Sequence, residues 1–221
     1  MNTGSTAAAN WQGGPWGVVS RLEDADGSAT HPWFSRLAQG GVPQRDLADA
    51  VHALCTLYGH HPGIAEEALH HNAFPGAERW LAIVSASFAA ERGYLASLTA
   101  AAGPLPSTPG HAEAHSALTA QRHALSVLAR SDRCGCAVGA VAALVLDWQR
   151  IRSVMDVAGE RFSLILPASS LPSPDVTARL VTGLDARPGG ERAMAFGAQQ
   201  LLAQQRGLWS LLEARAAARS H

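Results

Sequence analysis

The chain has 221 residues, enough for one large domain or two small ones, and a formal net charge of −1. No block of like charge stands out, which argues against nucleic acid or an anionic membrane as the main partner, because both reward clustered cations. All 17 basic residues are Arg, so chemistry through a lysine Schiff base is excluded.

Hydrophobic residues make up 47% of the chain and Ala leads them, while no stretch alternates with period two. This composition predicts an all-α protein, since Ala loses no side-chain entropy on entering a helix. Three Cys, an odd and low number, read as free thiols in a reducing compartment. No apolar run approaches the roughly 20 residues of a membrane span. The expected location is the cytoplasm.

Residues 1–16 are rich in Gly, Ser, Asn and Ala and read as a loose arm ahead of a single helical domain over 17–221. Trp11 and Trp16 would pin that arm to the body or to a partner subunit. A short helix is predicted over 32–39, capped by Thr30 and stopped by Gly40 and Gly41. The next covers 44–58, with the stripe Leu47, Val51, Leu54 and Tyr58 spaced by four, three and four. A short polar helix over 63–71 carries Glu66, Glu67, His70 and His71.

A long helix over 76–102 places Trp80, Val84, Phe88, Leu95 and Leu98 on one face. The loop 103–110 reads as a bundle turn. Helices over 111–130 and 132–161 follow, the second capped by Asp132. Its middle, 139–146, is apolar all round, which puts it at the centre of the fold, and its Ala and Gly residues let neighbours approach closely. Beyond a connector at 163–174, helices over 175–184 and 192–218 complete a bundle of about eight.

The segment 31–47, HPWFSRLAQGGVPQRDL, resembles the opening of the haem-oxygenase-like helical families, which include the thiaminase-II and PqqC-like proteins. The matching residues are His31, Pro32, Phe34, Leu37, Gly41 and Pro43. The resemblance implies a haem-oxygenase-like bundle. It does not carry an activity across, because the stretch VHALCTLYG lacks the acid that thiaminase-II proteins place on the second helix. The chain also looks like an uncharacterised bacterial family.

Polar groups on apolar helix faces are the candidate site residues, since burying one is costly without a partner. Glu91 lies on the stripe of its helix, seven residues after Val84 and four before Leu95. Buried, it would serve as general acid, general base or metal ligand, or else pair with an Arg from another helix. Asp147 follows the apolar run in line with Cys136, Ala140 and Ala143. It offers the same chemistry, against a pair with Arg150 or with an Arg across the bundle. These two are the catalytic candidates. Tyr58 and Gln205, on the stripes of their helices, are the ligand-binding candidates, or they satisfy a neighbour.

No metal site is assigned. His111 and His115 are spaced i, i+4 but lack a Glu in the HExxH position. The histidines at 60, 61, 70 and 71 read as a solvated rim, with Glu67 and His70 making a single ExxH. Cys134 and Cys136 form a CxC at a helix start, without a further redox motif.

Two functions remain open, with no cofactor named. One is a pocket protein that holds a small molecule, or a metal with one, between its helices. The other is a non-catalytic interaction or regulatory module on an old enzyme scaffold. A homodimer is expected in either case, as symmetric pairs are the commonest assembly.

Overall fold

The apolar run at 139–146 lies inside the central helix, labelled α7 (Cys136–Arg161), and every residue from Gly135 to Trp148 is buried. In this computed structural model, which describes residues 14–71, 74–105, 110–182 and 189–219, the other helices surround α7. They are α1 (Gly14–Asp26), α2 (Pro32–Ala38), α3 (Gln44–Tyr58), α4 (Ile64–His71), α5 (Glu78–Ala102), α6 (His111–Ala129), α8 (Pro174–Thr182) and α9 (Gly190–Ala218). A 3-10 turn, Ser28–Thr30, joins α1 to α2. Among the described residues there is no strand, and no helix is long and apolar enough to cross a membrane. The protein is an all-α helical bundle.

The closest helix contact joins α7 to α9, and small residues permit it. A Cβ on Gly139 would overlap the backbone of Met194, and one on Gly197 would overlap the carbonyl of Cys136. Trp80, Trp148 and Trp209, all fully buried, fill the volume around the crossing helices. Packing at this density makes each large side chain felt by many neighbours.

Three local expectations need correction. The segment read as a loose arm becomes helical at Gly14: Trp16, Val19 and Glu23 share a buried face of α1 with helical spacing. Trp11 lies outside the described residues. Thr30 does not cap α2. Its hydroxyl donates to the Gly27 carbonyl at 2.8 Å, while His31 Nδ1 accepts the Trp33 N–H at 3.2 Å and takes the cap. Asp132 does not start α7 either. The helix begins at Cys136 because Gly135, at φ 98°, turns the chain in a region closed to most residues. The Asp132 carboxylate instead meets His71 at 2.9 Å.

Helix α6 packs against α3, α4, α7 and α9, yet buries only Ala114, Leu118, Leu125 and Ala129 of its 19 residues. It is a thin cover on one side of the bundle.

Candidate functional site

Glu91 sits in the middle of α5 and is 2% exposed. Arg152 of α7 donates from Nη1 to both of its carboxylate oxygens, at 3.0 and 3.2 Å. Trp148 Nε1–H donates to Oε2 at 3.1 Å and the Ser169 hydroxyl donates to Oε1 at 3.0 Å. Arg152 is held in turn: Nε donates to Asp156 at 2.8 Å, Nη2 to the Pro167 carbonyl, and the guanidinium lies 4.6 Å from the Tyr94 ring centre. Glu91 therefore has the inter-helix Arg partner that was one of its two expected roles.

Asp147, fully buried on α7, is met differently. Oδ1 accepts the Ser28 N–H at 2.7 Å and Oδ2 accepts the Ser28 hydroxyl at 2.6 Å. That hydroxyl accepts from Trp209 Nε1–H at 2.7 Å, so one serine ties the turn after α1 to both α7 and α9. The expected pair with Arg150 does not form. Arg150 is exposed and reaches Glu23 of α1, at 3.7 Å. Glu23 is itself a buried acid beside Asp147: their Oε1 and Oδ1 atoms lie 3.0 and 3.2 Å from the point where Gly27 would carry a Cβ.

Burial pushes the Asp147 carboxyl above its usual range, against the pull of the Ser28 hydrogen bonds and the charge of Arg150. Burial and the charge of Asp147 raise Glu23, with Arg150 opposing. Both neighbouring acids are pushed toward their neutral forms. Glu23 was missed in the sequence because α1 was missed. Its spacing from Trp16 and Val19 was the available signal.

Tyr58 and Gln205 find each other. The phenol donates to Gln205 Oε1 at 2.9 Å, and both side chains are buried. The Tyr58 ring meets Trp148 edge-on, with centroids 5.1 Å apart. Burial, then the charge of Asp147, raises the phenol's pKa, so Tyr58 acts as a neutral hydrogen-bond donor. Gln205 Nε2 has no partner among the described residues. The four candidate residues thus gather around α7, but on separate hydrogen-bond circuits.

Open space lies elsewhere, along α6. A narrow cleft with a cavity volume of about 40 Å³ runs between α3, α6 and α9. Ala53, Ala114, Leu118 and Leu212 give it apolar walls, and Thr56, His52, His111 and His115 bring polar groups to it. At one end Asp49 accepts from Arg215 Nε at 3.1 Å and from Arg219, which also donates to Asp46 at 2.7 Å. A wider groove, about 870 Å³, lies between α6 and the turn before α4. His60, Glu67, His115, Arg122, His123 and Ser126 line it, and His115 belongs to both walls. Neither opening is lined by Glu91 or Asp147.

Of the rim read as solvated, His61, His70 and His71 are exposed and His60 is half-buried, while the acids beside them are engaged. Glu66 is buried, accepting from Arg92 at 2.6 Å and from the Gly63 N–H at 3.0 Å. Glu67 accepts the Ser126 hydroxyl at 2.8 Å. His111 and His115 stack with centroids 6.5 Å apart. Among the described residues, no group of three or more His, Cys, Asp or Glu is placed to hold a metal ion.

No curated protein and no solved structure matches the chain. A family model does match over residues 23–220, nearly the full length of the bundle just described, and on that ground the chain belongs to DUF6975, a family of unknown function.

Proposed function

We propose that this protein binds a small organic molecule in the crevice along α6, and that its core carboxylates hold the bundle together rather than the ligand. The observation that carries this reading is the narrow apolar cleft between α3, α6 and α9 beside the wider groove that shares His115 with it. Its apolar walls and few convergent polar groups have the chemistry of small-molecule sites. The core groups are committed, Glu91 to Arg152, Trp148 and Ser169, Asp147 to Ser28, and Tyr58 to Gln205, whereas His111 in the cleft keeps Nδ1 without a partner among the described residues. The three free cysteines fit a reducing cytoplasm.

Native mass spectrometry of the purified protein, followed by calorimetric titration with 1-octanol as an uncharged apolar probe, tests the proposal. The wild type is expected to bind octanol, and Leu118→Trp or Ala114→Leu, which fill the cleft, should abolish binding without unfolding the chain. Octanol that binds equally well to both variants, or to none of the three proteins, would sink it. The second outcome would favour the other reading, a non-catalytic interaction module on the same scaffold. That reading draws on Ile165, an apolar side chain left 95% exposed after α7.

A further inference from the structure

The cleft and the groove share His115. The cleft's α3 wall is made by His52, Ala53 and Thr56, and the chain continues in the same direction to His60, in the groove. Its α6 wall runs from Ala114 and Leu118 to Arg122 and Ser126, one or two turns further on. The two openings are therefore neighbours along α6 that meet at His115, apolar at the α9 end and polar at the α4 end. We propose that the polar end receives the anionic head group, a carboxylate or phosphate monoester, of a ligand whose apolar part lies in the cleft. Arg122 is its charge partner, and His60, His115 and His123 are the hydrogen-bonding groups around it. This inference rests on the cleft being the binding site.

The charge balance of the groove supports an anion. Arg122 makes no ion pair among the described residues. The one acid in the lining, Glu67, is already engaged by the Ser126 hydroxyl and by Arg130, 3.6 Å away. A guanidinium flanked by imidazoles and hydroxyls suits carboxylate or phosphate oxygens, which accept several hydrogen bonds at once.

His60 adds a second handle, because its Nδ1 is buried without a partner among the described residues. Burial lowers its pKa, Arg122 on α6 and Arg92 on α5 lower it further, and Glu67 and Glu66 on α4 act the other way. A bound anion would offset the arginines and favour the protonated ring. Affinity for the anion should then rise as pH falls from 8 to 6.

The test is calorimetric titration of the full chain with octanoate, octyl phosphate and 1-octanol, at pH 6 and pH 8. Octanoate, octyl phosphate or both should bind about tenfold more tightly than octanol, a difference that weakens at high salt. Whichever binds more tightly identifies the head group. In Arg122→Gln the preference should vanish while octanol binding is unchanged. In His60→Gln the preference should persist with a weaker pH dependence, read with octanoate because its charge does not change between pH 6 and pH 8. Arg122 is exposed, so that variant should melt like the wild type.

Octanol binding without a preference for either anion overturns the head-group inference and leaves the cleft reading intact. So does a preference that survives in Arg122→Gln. Failure of all three compounds to bind overturns both.

Discussion

Glu91 and Asp147 look alike in sequence and are solved in opposite ways by the fold. Both lie on apolar helix faces, and both are cut off from water. Glu91 is met by a guanidinium, an indole N–H and a hydroxyl. Asp147 is met by one serine and sits beside a second acid, Glu23. In the first region charge is balanced on the spot. In the second it is opposed, and the acids are pushed toward their neutral forms. The lesson is that an acid on a greasy stripe marks burial; the partner supplied from elsewhere decides what burial does to it.

The sharpest way to break the comparison is to remove the guanidinium. Arg152→Ala leaves the buried Glu91 carboxyl without its guanidinium partner, and should cost about 3–5 kcal/mol in urea unfolding. Glu91→Gln combined with Arg152→Met should recover most of that loss, because a neutral pair needs no counter-ion. If the single and double variants are equally unstable, the ion pair is not what organises this region.

The Asp147 region should respond less to truncation and more to pH. Asp147→Ala strands the Ser28 N–H and hydroxyl in the core, for a loss of about 2–3 kcal/mol. The pH behaviour follows from the raised pKa values. Such an acid binds its proton more tightly folded than unfolded. Its stabilising effect is complete below the ordinary values, 3.8 for Asp147 and 4.5 for Glu23, and is lost as pH rises through the folded values. The wild type should therefore lose stability relative to Asp147→Asn between about pH 4 and the folded pKa. Urea midpoints of the two proteins across pH 4–8 check this, and parallel curves would show that the carboxyl does not resist ionisation.

Helices with a long apolar stripe were legible from the chain alone. The stripe of α5 and the all-round apolar middle of α7 lie where their periodicity placed them. Helix α1 was hidden by its Gly-Pro start, and Glu23 was lost with it. Partner identity was not legible. Arg152 lies 61 positions from Glu91 and Ser28 lies 119 from Asp147, distances over which no local pattern carries information. The crevice was invisible for the same reason. His60 and Arg122 each look like ordinary surface residues until α6 is laid against the turn after α3.

Tyr58 and Gln205 supply the uncharged member of the series, and the smallest effect. The phenol makes one hydrogen bond, to an amide whose nitrogen is already unpartnered. Tyr58→Phe should cost about 1–2 kcal/mol, since a net neutral hydrogen bond is worth about 1 kcal/mol and the stranded amide adds a penalty of similar size or less. Tyr58→Phe with Gln205→Leu should be nearly neutral, because removing both partners leaves nothing unpaired. The same cycle separates structure from function. Octanol affinity should be unchanged in the double variant if the ligand lies along α6. A large loss of affinity with little loss of stability would move the binding site back to the core, among Glu91, Asp147, Tyr58 and Gln205, where the sequence first placed it.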